Sequence, residues 1–143
     1  VGRTTRMVNS NKADGVYYEQ LFIAEALKRG LAVCDTVGDN LPYDVVVMDG
    51  AKSYRVQIKG TKGVQDKGIR RYMFSLGVGV NKRVNKNFDM FAGYADHRNG
   101  TAWYIIPREA LPSKTIKIYP DIPDSRGKYE RYQGAWTEFK RSR

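Results

Sequence analysis

Four side chains carry the chemistry this sequence offers: Asp44, Gln57, Lys59 and, further upstream, Glu19. Asp44 is the one polar residue in the apolar, β-branched run from Tyr43 to Met48. The turn signal Asp49-Gly50 follows, then Tyr54, Val56 and Ile58 alternate with polar residues, a pattern that predicts a β-hairpin. Side chains two apart on a strand share a face, so Arg55, Gln57 and Lys59 are expected on one side and Tyr54, Val56 and Ile58 on the other. A carboxylate set among apolar neighbours needs a partner, and the facing strand offers Gln57 and Lys59. Taken alone, the pair reads as an ordinary cross-strand ion pair.

A carboxylate on the preceding element shifts that reading toward catalysis. Asp14 is expected to cap a helix from Gly15 to about Arg29, stopped at Gly30, with Lys28 and Arg29 in the last turn where the helix dipole favours cations. Around Glu19, the helical neighbours Val16, Phe22, Ile23, Ala26 and Leu27 are all apolar. This places Glu19 in the middle of the buried stripe, and Glu25 on the solvent face. A carboxylate there calls for a cation or a metal; the plainer alternative is a Glu whose tip snorkels to the rim.

Charge points to the partner. The 143-residue sequence has 25 Lys and Arg against 15 Asp and Glu, a net charge of +10, and its basic residues are interleaved with aromatics. That balance favours a polyanion, nucleic acid before an anionic membrane surface. No run of about 18 apolar residues exists to span a bilayer. The lone Cys34 follows the apolar Leu31-Ala-Val33 and reads as a small buried hydrophobe in a reducing compartment. With no signal peptide evident, and a start at Val1 that reads as trimmed, a cytoplasmic or nucleoid-associated location is expected.

The remaining chain supplies the frame, read as one domain over residues 1–143. Residues 1–13, with Arg3, Arg6 and Lys12, read as a loose basic arm, either touching phosphates or simply frayed. Leu31 to Asp35 reads as a first strand, and Asp39 lies in the loop after it. Gly60 to Arg71, carrying Lys62, Lys67, Arg70 and Arg71 among three glycines, reads as a flexible basic loop placed to contact DNA. Tyr72 to Val80 follows as a strand, then a second basic turn with Lys82, Arg83 and Lys86. Phe88 to Tyr94 and Ala102 to Ile106 are expected strands, with His97 on the surface of the turn between them. Pro107 to Leu111 begins like a helical turn, and Thr115 to Tyr119 reads as an edge strand. Residues 128–143 are expected to form a helix whose stripe of Tyr129, Tyr132, Trp136 and Phe139 serves core or dimer contact, with base stacking the alternative.

The order Gly15-x-x-x-Glu19, Gly30, Pro42-x-Asp44-Val-Val and Gln57-Ile-Lys59 resembles the PD-(D/E)XK nuclease superfamily. It is most similar to two small groups, the archaeal-type Holliday junction resolvases and the group I intron homing endonucleases with Gln in place of the second acid. Asn87-Phe88-Asp89-Met90-Phe91 and Trp103-Tyr-Ile-Ile-Pro107 resemble later core segments, so the likeness covers roughly residues 14 to 107. The resemblance implies an α/β, restriction-endonuclease-like fold: a mixed central sheet flanked by helices. It also implies Mg²⁺, with Mn²⁺ as a substitute, held by Asp44, the Ile58 carbonyl and the Gln57 amide, with Glu19 acting through water and Lys59 orienting the attacking water. The implied activity is metal-dependent cleavage of double-stranded or branched DNA by a homodimer or homotetramer, first of all site-specific cleavage of the kind homing endonucleases perform. A Holliday junction resolvase and a non-catalytic nucleic-acid-binding module are the alternatives.

Overall fold

The computed structural model describes residues 10–38, 40–78, 83–84 and 87–140. Helix α1 (Ser10–Lys28) is followed by ten strands: β1 (Ala32–Asp35), β2 (Val45–Asp49), β3 (Lys52–Thr61), β4 (Val64–Asp66), β5 (Ile69–Ser75), β6 (Gly77–Val78), β7 (Arg83–Val84), β8 (Met90–His97), β9 (Gly100–Pro107) and β10 (Thr115–Ile118). Five of them form a mixed sheet in the order β1-β2-β3-β8-β9. Its β3 and β8 run parallel, and the other neighbours run antiparallel. A smaller sheet, β10-β5-β4, lies against one face of the large one. The fold is thus the expected mixed α/β arrangement, with one α-helix among the described residues.

Burial explains the layers. On one face of the large sheet, Val45, Val47, Tyr54, Val56 and Ile58 pack against Tyr18, Phe22 and Ala26 of α1 and against Trp136 and Phe139. On the other face, Phe91, Tyr104 and Ile106 meet Tyr72, Phe74, Ile116 and Ile118 of the small sheet. The interior strand β8 is buried on both sides from Met90 to Ala95, as a strand covered on both faces must be. Gly93 lets the small sheet approach, since a Cβ there would sit 2.7 Å from the Phe74 ring.

Several expectations need correction. The helix starts at Ser10, not after Asp14, so residues 10–13 of the supposed arm are helical; Lys12 and Ala13 are good helix formers and carry the helix through Gly15. Residues 1–9 and Asp39 lie outside the described residues. The helix does end as expected, with Gly30 at φ 83° and bonds from Leu31 N–H to the Ala26 carbonyl and from Gly30 N–H to that of Leu27.

Gly60 to Arg71 is no loop: β3 continues to Thr61, and β4 and β5 form a hairpin. Of the expected helix over 128–143, the described residues 128–140 have two short 3₁₀ turns, Glu130–Tyr132 and Trp136–Lys140, instead of an α-helix, and residues 141–143 lie outside the described residues. Gly134 at φ 68° breaks the helical path and its N–H goes to the Trp103 carbonyl of β9. The aromatic residues nonetheless fill the core, with Tyr129, Trp136 and Phe139 all buried, so none of these three is a stacking platform. Cys34 is exposed because β1 is the edge of the sheet. The His97 side chain is covered rather than on the surface. It is 8% exposed, lies 3.1 Å from the Asp121 carboxylate and meets the Tyr72 ring edge-on, because the loop after β10 covers the β8–β9 turn.

Candidate active site

The site forms where β2 begins. The ladder between β2 and β3 opens at Val45 opposite Val56, and Asp44 stands one residue before it. The Asp44 N–H donates to the Val56 carbonyl at 2.8 Å, and the Thr36 hydroxyl donates to the Asp44 carbonyl at 2.9 Å. With its backbone held on both sides, the Asp44 carboxylate accepts the Ile58 N–H at 2.7 Å. A side chain therefore takes the place of the next strand residue along β3. The N–H and C=O of one strand residue face the same edge, so the Ile58 carbonyl also faces the side from which β2 has withdrawn. Gln57 and Lys59 flank Ile58 on the opposite face of β3 from Val56 and Ile58, and both are half-buried.

Glu19 enters from α1. The buried stripe of the helix runs through Tyr18, Phe22 and Ala26, and Glu19 flanks it half-buried instead of lying at its centre. The sequence stripe was misplaced because the aromatic rings set the helix rotation, leaving Val16 and Leu27 each 55% exposed. Glu25 is tied to Arg29 at 2.8 Å. The helix is seated by Gly60, directly after Lys59: a Cβ on Gly60 would lie 2.3 Å from the Tyr18 ring. Asp14, Gly15 and Tyr18 of α1, Lys59 to Lys62 of β3 and its end, and Met73 to Ser75 of β5 line one cleft of about 550 Å³.

Electrostatics describe a place short of positive charge. Burial pushes the Glu19 carboxyl up to about 7, and the neighbouring Asp44 and Asp35 add to the shift. Burial also raises Asp44, against the pull of the Ile58 N–H and Lys59, with Asp35 again adding to the rise. Asp44 and Asp35 thus both act on Glu19, and the Lys59 ammonium opposes the rise at Asp44. Among the described residues no three His, Cys, Asp or Glu side chains converge closely enough to enclose an ion by themselves. The donors at hand are hard oxygens of mixed type, carboxylate, amide and carbonyl, and this set fits a hydrated Mg²⁺ or Mn²⁺ that keeps several of its waters.

The structure brings Glu19, Asp44, Ile58 and Lys59 to one end of β3, with Gln57 on the same strand. Two residues that shape the region went unrecognised in the sequence. Asp35 reaches the site through the pairing of β1 with β2, Asp35 opposite Val45, a register no local pattern encodes. Asp89 pins β3 to the start of β8: Arg55 donates to it from its backbone N–H at 2.8 Å and from its guanidinium at 3.1 Å twice. Burial would raise the Asp89 carboxyl, but these bonds hold it below its ordinary value. Of the expected DNA contacts, Lys62, Lys67, Arg70 and Arg71 lie on or beside the β4–β5 hairpin. Arg83 falls in β7, and Lys82 and Lys86 lie outside the described residues.

The sequence profile of the PD-(D/E)XK endonucleases matches residues 9–139, which takes in α1, the large sheet, the small sheet and the 3₁₀ turns. The chain belongs to the PD-(D/E)XK endonuclease family. The fold agrees. A bacterial homing endonuclease, I-Ssp6803I, superposes with a TM-score of 0.76 at 23% identity, over 92% of this chain and 95% of that one. A Holliday junction resolvase, Hjc of the archaeal hyperthermophile Archaeoglobus fulgidus, aligns with a TM-score of 0.47 at 16% identity, over 76% of this chain and 85% of its own. No curated protein sequence matches this one. This endonuclease therefore has the restriction-endonuclease-like fold and, in keeping with its family, an activity that uses divalent metal.

Proposed function

We propose that this endonuclease hydrolyses duplex DNA with Mg²⁺, Mn²⁺ serving in its place, and cuts at specific sites in the manner of a homing endonuclease. Asp44 carries the reading. Its carboxylate is fixed by the Ile58 N–H, stands within electrostatic reach of Lys59 on one side, and raises the pKa of Glu19 on the other. Asp44, the Ile58 carbonyl and the Gln57 amide would hold the ion, and Glu19 would hold its waters. The chemistry such an ion supplies is Lewis-acid activation of water and cancellation of charge on the phosphoryl oxygens. Lys59 positions the attacking water and donates to the phosphoryl oxygen on which negative charge grows. The site-specific reading is supported by Gln57, the amide that distinguishes the homing group, and by the extent of the likeness to I-Ssp6803I. One such site per chain against two strands to cut favours a homodimer or homotetramer.

The test is incubation of the wild-type protein with supercoiled plasmid and with a four-way junction, each with Mg²⁺, Mn²⁺ or a chelator. Cleavage of plasmid at one or a few positions, abolished by chelator, is the expected result. Cutting confined to the junction would make the protein a resolvase, and binding without cutting would make it a non-catalytic module.

A further inference from the structure

Strands in a packed domain bury at least one face, as β3 and β8 do. From Val64 to Arg71 every residue is exposed, so β4 and the start of β5 form a two-stranded ribbon standing off the body. An isolated pair of strands is marginal in water, and here the root is anchored. Tyr72 is buried, and its hydroxyl donates to Asp121 at 2.6 Å, while the same carboxylate takes the Arg98 N–H and His97. The ribbon turns through two residues, Lys67 at φ 50° and Gly68 at φ 80°, between the paired Asp66 and Ile69.

Two features of the ribbon do not serve the fold. A two-residue turn with both φ values positive favours Asn, Asp or Gly at its first position, yet a lysine stands there at a conformational cost. Asp66 takes Arg71 Nε at 3.1 Å, with both side chains about half exposed. Such surface pairs add little stability, but this one orients a guanidinium. Arg71 shares its face of β5 with Met73, and Met73 lines both the Lys59 cleft and an adjoining cleft of about 580 Å³ that includes Arg71, Lys117 and Tyr119. The ribbon surface is continuous with the place where the chemistry is assigned.

We propose that the β4–β5 ribbon is the element that reads DNA sequence, entering the major groove with Arg71, held by Asp66, directed at a base edge and Lys67 at the tip. This rests on the reading of the protein as a DNA endonuclease. The major groove, about 12 Å wide, admits a two-stranded ribbon, and arginine is the side chain that meets guanine with two hydrogen bonds. Lys62, Lys67, Arg70 and Arg71 give the ribbon the charge to approach phosphates, with Asp66 the one acid among them. From Lys59 to Lys67 the chain spans at most about 29 Å, less than one duplex turn of about 34 Å. The base pairs read therefore lie within one turn of the site where the same subunit acts.

The experiment separates reading from cutting. Lys59→Ala protein is equilibrated with a library of duplexes carrying a randomised segment, and the retained molecules are sequenced, with and without Arg71→Ala, Asp66→Ala or Lys67→Asn. The expected result is a consensus containing a G·C pair whose preference falls about tenfold or more with Arg71→Ala and by less with Asp66→Ala, a positioning residue. Lys67→Asn should weaken DNA binding while raising the melting temperature, opposite signs that a merely structural turn would not give. No consensus, or a consensus unchanged by all three substitutions, overturns the inference. Failure of the endonuclease reading shows separately, as wild-type protein that leaves plasmid uncut in Mg²⁺.

Discussion

The Asp44 carboxylate accepts the Ile58 backbone N–H at 2.7 Å, so one side chain both completes the edge of β3 and faces the candidate metal site. The two roles separate under substitution. Asp44→Asn keeps an oxygen that can accept the Ile58 N–H but loses the charge. It should melt close to wild type, while metal affinity and cleavage each fall by about two orders of magnitude. Asp44→Ala also leaves a strand N–H without its partner, at a cost of about 1–3 kcal/mol, visible in urea denaturation. An Asp44→Asn protein that cleaves plasmid at the wild-type rate would remove Asp44 from the site.

Glu19 gives the pH dependence a definite sign. Its pKa is raised from the ordinary 4.5 to about 7, so the folded chain holds a proton that the unfolded chain has released between those values. Stability drawn from this group is therefore full below the unfolded value and is lost as pH rises toward 7. Metal-free Glu19→Gln should be more stable than wild type at about pH 8, by about 1–2 kcal/mol once solvent screening at a half-buried site is allowed for, and no more stable at about pH 4. Calorimetric melting at both pH values measures this. Because the ion must displace that proton, Mn²⁺ affinity followed by electron paramagnetic resonance should rise with pH up to about 7 and then level off. A pH-independent affinity would remove Glu19 from the site, as a holder of the ion's waters or otherwise.

The β-hairpin of Asp44 and Lys59 was legible in the sequence because its signals are local: an apolar run, Asp49-Gly50, and alternation at Tyr54, Val56 and Ile58, all of which β2 and β3 reproduce. Glu19 was found but placed a little wrongly, since helical spacing defines several overlapping stripes and only packing of Tyr18 and Phe22 against the sheet selects one. The β4–β5 ribbon read as a loop for a physical reason. With both faces in solvent, nothing demands apolar alternation from Val64 to Arg71, and the turn carries Lys67 where a hairpin signal would carry Asn. The C-terminal aromatic residues were read as core, and Tyr129, Trp136 and Phe139 are core. Their helical spacing misled because the bond from Gly134 to Trp103 is a tertiary contact invisible in the chain itself.

Gly60 couples the helix to the strand that carries Gln57 and Lys59. A Cβ there would lie within 2.4 Å of three atoms of the buried Tyr18 ring. Gly60→Ala should therefore push α1 away from β3, destabilise the fold by about 1–3 kcal/mol, and lower cleavage by moving Glu19 relative to Asp44. Tyr18→Ala in the same protein removes the clash and should restore part of the lost activity at the expense of packing. Activity unaffected by Gly60→Ala would show that the placement of α1 does not matter to the site.

Gln57 is the residue at which this chain departs from the acidic pattern of its family, and it tests how the ion is held. If the amide oxygen is a ligand, Gln57→Leu, similar in bulk but without the oxygen, should raise the Mg²⁺ concentration needed for half-maximal cleavage while Asp44, the Ile58 carbonyl and Glu19 preserve some activity. Gln57→Glu adds a charge to a region where Asp44 and Asp35 already raise the Glu19 carboxyl, so metal should bind more tightly. Tighter binding need not speed cleavage, because a new carboxylate two residues from Lys59 on the same face can pair with its ammonium and draw it from the water it positions. The expected order of metal affinity is Gln57→Glu, wild type, Gln57→Leu, with wild type cleaving fastest at saturating Mg²⁺. Should Gln57 instead serve only DNA or the sheet, Gln57→Leu would change duplex affinity or melting and leave the metal curve where it was. Metal titrations of cleavage for all three proteins decide the matter, and superimposable curves would exclude the amide as a ligand.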